Sequence, residues 1–295
     1  MKCKYIIILI FTILFLFIYN IPICNTESFV SERKEGWTQY DERSDNTKEL
    51  IKECADKYNN PDILNIELEL NDRGLFEEQW NNPKYSFSYD INKPELRNYC
   101  GPDFAFYGWQ TANIPLFEQV RDEIIQNSQD IPKHDKIGWH GNVSTSSNRS
   151  ILKKIGDENP DLFDIIDINP IGYDINETIP QYMSLPELVS NYKYLIDIEG
   201  FGWSARLKYL LFSKRPLIIV DRTFVEYYHT DLIPNYHYIP VKNDLSDLVS
   251  QTEWIINNPE EAQEIANNAF EFATTNFSKD KLLDRIYEVY LNLKK

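Results

Sequence analysis

The chain has 295 residues, 42% of them hydrophobic and 26% charged, with a formal net charge of −16. That composition excludes a disordered chain and allows one large packed domain or two ordinary ones. The negative charge excludes a nucleic-acid backbone as partner, since that needs clustered Lys and Arg, but not a nucleotide held by one or two cations.

After Met1-Lys2-Cys3-Lys4 an apolar run of Ile, Leu and Phe extends from Tyr5 to about Ile23, a length that spans a bilayer. A run apolar on every face at the extreme N-terminus argues against an ordinary core helix. Two readings stay open for residues 1–27: an uncleaved signal-anchor, and a cleaved signal peptide, against which no small-x-small site appears between Asn20 and Asn25. Lys2 and Lys4 predict a cytosolic N-terminus and a lumenal remainder. Either way the sequence predicts the secretory pathway, as a single-pass type II protein facing the ER or Golgi lumen or as a secreted one.

Residues 28–60 are polar and read as a stem with a helix near 47–58. Ile63–Leu70 alternates as a strand, which Asn71-Asp72-Arg73-Gly74 ends as a turn. An aromatic, Pro-containing stretch runs from Tyr85 to Trp109, and a helix follows near 116–127. Pro132–Asp135 reads as a link, dividing the chain into units of residues 28–130 and 131–295. The second unit has an α/β pattern, with strands at 137–140, 163–168, 194–198, 217–220 and 238–241 and helices at 148–156 and 204–212. Strand, glycine turn, helix and strand in succession form the crossover unit of a parallel sheet. Three helices close the chain, at 245–257, 259–275 and 279–293, with Pro259 in a first turn and Ser278 as an N-cap.

Cys54 and Cys100 are the two cysteines beyond the apolar run and its flank; a disulfide and two buried thiols are both open. The four histidines, at 134, 140, 229 and 237, have no zinc-site spacing. Sequons stand at Asn142, Asn148, Asn176 and Asn276. The strongest local signal runs from Tyr194 to Arg206, Tyr-Leu-Ile-Asp-Ile-Glu-Gly-Phe-Gly-Trp-Ser-Ala-Arg. Ligands of open α/β sheets bind beyond the carboxyl ends of strands. There Gly200 and Gly202 permit a tight turn, Ser204 can cap a helix or donate to an oxygen, and Arg206 can pair with a diphosphate. A plain turn with a solvated arginine is the competing reading.

This run, with Leu207-Lys208-Tyr209-Leu210-Leu211 after it, resembles the signature of glycosyltransferase family 90. That family includes protein O-glucosyltransferases, fungal capsule-associated proteins and lipopolysaccharide-core glycosyltransferases. Pro102-Asp103 through Phe106, Gly108-Trp109 and Asn113-Ile114 is similar to its aromatic segment. Gly138-Trp139-His140-Gly141-Asn142 with Asn148-Arg149 resembles its strand and loop, where His140 replaces the usual Arg. His237–Leu245 is similar to a late strand and helix start.

The resemblance implies an α/β fold of the GT-B kind, with two Rossmann-like domains and a UDP-sugar (UDP-glucose or UDP-xylose) in the cleft between them. It implies an inverting transfer to a hydroxyl of a protein or glycan acceptor. No Asp-x-Asp occurs in the chain, which agrees with donor binding without a metal or other cofactor. Phe201, Gly202, Trp203, Ser204, Ala205, Arg206, His140, Asn142 and Arg149 are the implied donor-binding residues. Phe106, Trp109 and Asn113 are the implied acceptor or sugar contacts. The implied base is Asp72, one residue out of register and without the family's following Pro; Asp103 is the runner-up, with a structural role as its rival reading. The alternative function is an inactive relative that binds sugar or acts as a scaffold.

Overall fold

The computed structural model describes residues 39–112, 114–168 and 183–295. The apolar run within residues 1–27, Asn113 and the Asn176 sequon lie outside them. Among the described residues no helix is long and apolar enough to cross a membrane.

Helix α1 (Gln39–Lys57) opens with Asp41 and Glu42, which favour the positive end of the helix dipole. The two-residue strand β1 (Tyr89–Asp90) and α2 (Phe117–Asn127) follow. Strand β2 (His134–Gly141) leads to α3 (Ser147–Glu158), whose N-cap Ser146 accepts from the Arg149 N–H. Then come β3 (Phe163–Asp167), α4 (Leu185–Asn191), β4 (Tyr192–Asp197), α5 (Leu207–Leu210), β5 (Leu217–Val220), β6 (Phe224–Val225) and β7 (Ile239–Val241). Helices α6 (Leu248–Asn257), α7 (Pro259–Asn276) and α8 (Lys279–Leu293) end the chain, α8 capped by Ser278 accepting from Lys281.

Five strands form one parallel sheet in the order β3-β2-β4-β5-β7. Strand β5, Leu-Ile-Ile-Val, is buried at every residue, as a central strand covered on both faces must be. Leu195, Leu217 and Ile219 face one core; Tyr194, Ile196, Ile218 and Val220 face the other. The first core also takes Leu50, Ile51 and Cys54 of α1 and Leu282, Leu283, Ile286 and Val289 of α8. The end of the chain thereby packs on its described beginning, within one compact unit of residues 39–295.

Three expectations fail here. Among the described residues between 39 and 130 there is no parallel sheet, so they do not form the second Rossmann-like unit expected over residues 28–130. Residues 63–65 of the expected strand belong to a 3₁₀ turn over Pro61–Asn65, and Leu68 makes only an isolated bridge to Tyr85. The segment satisfies its polar groups through short turns and bridges, with aromatic side chains filling the space between them. The expected helix at 204–212 is only the four-residue α5, begun without a side-chain cap. Cys54 and Cys100 are both buried free thiols, and Cys54 donates to the Leu283 carbonyl.

Candidate active site

The sheet order reverses between β2 and β4, and ligands of open α/β sheets bind beyond the strand ends at such a switch point. Trp139, fully buried near the end of β2, has two guanidiniums close to its ring there. The Arg149 and Arg206 carbons stand 5.2 and 5.4 Å from its ring centroid. Arg149 donates to the carbonyls of Glu199 (2.7 Å), Asn142 (3.1 Å) and Ile198 (3.4 Å). Arg206 donates to the His140 carbonyl at 3.1 Å. Burial, and then the like charge of Arg206, pull the Arg149 pKa down to about 9. A nearby anion relieves both causes, so the arrangement suits a phosphate.

The opposite wall is the Asn71–Gly74 turn. Asn71 Oδ1 accepts from the Arg73 N–H and its Nδ2 donates to the Gly74 carbonyl, both at 2.7 Å. Gly74 closes the turn at φ 72°, where a side chain is strained. Asp72 Oδ1 accepts from Arg43 Nη1 of α1 at 2.6 Å. The Arg43 guanidinium, 8% exposed, lies 5.1 Å from the Phe104 ring centroid and also donates to the Leu70 carbonyl. Sequence reasoning missed Arg43, because an arginine within Asp41-Glu42-Arg43-Ser44-Asp45 reads as one more solvated charge. It also missed buried Glu42, which accepts from the Gln110 and Thr111 N–H groups and the Thr111 hydroxyl. With Asn46, which donates to the Gly108 carbonyl at 2.6 Å, it ties the Trp109 loop to α1.

Gly202 joins the two walls. A Cβ on it would stand 1.8 Å from the Asp72 carbonyl oxygen, so only glycine lets these backbones meet. Arg73 Nε donates to the Phe201 carbonyl across the same contact, at 3.2 Å. The result is a cavity of about 580 Å³ with Asp72, Arg43 and Tyr40 on one side, Arg149, Arg206, Ser204 and Ala205 on the other, and Phe104, Trp109 and Trp203 among its lining. Phe201 and Phe76, 64% and 46% exposed, also line it.

Other predicted residues lie elsewhere. Phe106 is fully buried among Phe117, Tyr228 and Phe277, a core position and not a sugar contact. Asp103 is buried against Lys208 (2.7 Å), which also pairs with Glu226 (2.9 Å), and its other oxygen caps the 104–106 turn. That is its structural reading. His140 points away from the cavity towards the Tyr192 hydroxyl (3.2 Å), because side chains alternate along β2, and only its carbonyl reaches Arg206. Asn142 caps the 143–145 turn and offers its carbonyl to Arg149. Asn148 is buried and donates to Glu199 at 3.1 Å, which hides that sequon. A four-residue α5 supplies no helix N-terminus for a phosphate, and the Ser204 hydroxyl goes to Asp197 (2.6 Å) instead of capping it. Among the described residues no group of three His, Cys, Asp or Glu side chains could hold a metal ion.

The family profile described as Glycosyl transferase family 90 matches residues 39–293. The chain belongs to glycosyl transferase family 90. Protein O-glucosyltransferase 2 of Danio rerio is 30% identical over 169 residues, covering 55% of this chain and 33% of the relative. Protein O-glucosyltransferase 1 of Rattus norvegicus is 26% identical over 213 residues, covering 68% and 54%. Uncharacterized protein 179R of Invertebrate iridescent virus 6 is 34% identical over 116 residues, covering 37% and 10%. The chain thus spans from a tenth to about half the length of these relatives. Among solved structures, Anabaena Alr3699/HepE in complex with UDP-glucose aligns at a TM-score of 0.36 and 10% identity, covering 58% of this chain and 44% of that one.

Proposed function

We propose that the chain is an inverting, metal-independent glycosyltransferase that moves glucose or xylose from a UDP-sugar to a hydroxyl of a protein or glycan acceptor. The observation that carries this reading is the meeting of a carboxylate, Asp72, with two guanidiniums in one cavity, across the Gly202–Asp72 contact. An inverting transfer needs both. Asp72 takes the acceptor's proton as its oxygen attacks the anomeric carbon, and the bond to the diphosphate breaks with its electrons passing to UDP. Arg149 and Arg206 meet that charge from fixed positions, the part a metal plays in other transferases. Residues 39–130 supply the acceptor wall and residues 131–295 the donor wall, in a GT-B-like division of labour. The names of the relatives support glucose as donor sugar and protein as acceptor. We place the enzyme in the secretory lumen, with residues 1–27 as its signal or anchor.

One observation favours the second reading, a sugar-binding relative without transfer. Asp72 already has a structural partner, the 2.6 Å ion pair to Arg43, as a residue that only holds the turn would. Both readings are tested by incubating the full-length chain with UDP-glucose and UDP-xylose and measuring free UDP with and without EDTA. Turnover that EDTA leaves unchanged is expected. Strict dependence on manganese overturns the metal-independent mechanism; donor binding without turnover in the presence of protein and glycan acceptors favours the sugar-binding relative.

A further inference from the structure

We propose that Asp197 fixes Ser204 as a hydrogen-bond acceptor, so that Ser204 reads a hydroxyl of the nucleotide sugar and not a phosphate oxygen. This rests on the donor reading above. Asp197 closes β4 and is wholly buried. Its Oδ2 pairs with Arg222 Nη2 at 2.7 Å, and Arg222 also donates to the Asp197 carbonyl (3.2 Å) and the Val220 carbonyl (3.1 Å). Its Oδ1 lies 2.6 Å from Ser204 Oγ. A carboxylate paired with arginine offers only lone pairs, so the single serine proton lies on that bond.

Ser204 is 3% exposed and lines the cavity. With its proton committed, its oxygen shows the cavity lone pairs alone. Those repel a phosphate oxygen and accept an O–H. The diphosphate charge falls to Arg149 and Arg206, and the hydroxyl that meets Ser204 belongs either to the ribose or to the transferred sugar. Asp197→Asn inverts the arrangement. Arg222 can only donate, so the new amide oxygen turns to it and the amide N–H₂ donates to Ser204. The serine proton is then released towards the cavity.

The test is calorimetry on the full-length wild type, Ser204→Ala and Asp197→Asn, with fold checked by circular dichroism. The ligands are UDP, 2′-deoxy-UDP, 3′-deoxy-UDP, UDP-glucose, UDP-glucose lacking single glucose hydroxyls, and inorganic pyrophosphate. Loss of the recognised hydroxyl should cost the wild type about tenfold in affinity and cost Ser204→Ala nothing, since the partner is already gone. Sensitivity to a deoxy-UDP assigns that hydroxyl to the ribose; sensitivity confined to the deoxyglucose donors assigns it to the transferred sugar. Asp197→Asn should lose the preference and bind pyrophosphate more tightly. The proposal is overturned if wild type and Ser204→Ala lose the same factor with every deoxy ligand, or if Ser204→Ala weakens pyrophosphate as much as UDP. Should Asp197→Asn not fold, the Ser204→Ala comparison decides alone. A wild type that binds neither UDP nor UDP-glucose overturns the donor reading and this proposal together.

Discussion

Gly202→Ala tests the contact that joins the two walls of the cavity. The new Cβ would stand 1.8 Å from the Asp72 carbonyl oxygen and 2.6 Å from its carbon, both backbone atoms that cannot swing aside as a side chain would. To reach even a 3.0 Å separation the 200–204 loop and the 71–74 turn must part by about 1.2 Å. Gly202 does not occupy the left-handed region, so alanine brings no backbone strain of its own and the whole effect is steric. Overpacking of this kind costs about 1–3 kcal/mol of stability. The Arg73–Phe201 hydrogen bond across the contact lengthens with it. A displacement of about 1 Å between reacting groups costs about 100-fold in rate. Arg149 on α3 and Arg206 after the loop keep their hold on Trp139, so UDP affinity should fall by less than about tenfold, under 1.4 kcal/mol. The assays are UDP release with acceptor at saturating donor, calorimetry with UDP, and urea unfolding. Wild-type turnover together with wild-type stability would refute the close approach of the two loops.

Arg206→Ala should weaken UDP binding by about 1.5–3 kcal/mol while the fold survives; unchanged affinity by calorimetry removes this arginine from the donor site. Asp72→Asn keeps the turn but cannot take a proton, so transfer should fall about 10²–10⁴-fold with donor affinity nearly constant. Near wild-type transfer would leave Asp72 as a turn residue only. Burial, with Asp103 adding to it, raises Glu226 from 4.5 to about 8 against the opposing pull of Lys208, which also pairs with Asp103. Between pH 4.5 and 8 the folded state therefore holds more protons than the unfolded one, and this group's contribution falls as pH rises. Wild-type Tm relative to that of Glu226→Gln should decline over this window, and a constant difference would count against a neutral Glu226 in the fold.

What was legible in the sequence was local and periodic. The strand at 217–220 and the helix at 279–293 match the structure residue for residue, because a continuous apolar run and a capped amphipathic repeat each specify one conformation. The parallel sheet and the loop that ends in Arg206 follow from the same signals. The stretch at 63–70 misled, since its alternation competes with the turn that Pro61 starts and with the bridge from Leu68 to Tyr85. Only the tertiary structure decided which predicted site residues meet. Asp72 and Gly202 are in backbone contact across 130 positions, a contact that no local pattern encodes. Arg43 and Asp197 carry site contacts through burial and a partner, and neither property can be read from residue type. Phe106 and Asp103 share a motif with Trp109, yet only Trp109 lines the cavity, because the 3₁₀ turn at 104–106 points successive side chains in different directions. The sequence determined the chemistry available; packing between distant segments decided which of it faces one cavity.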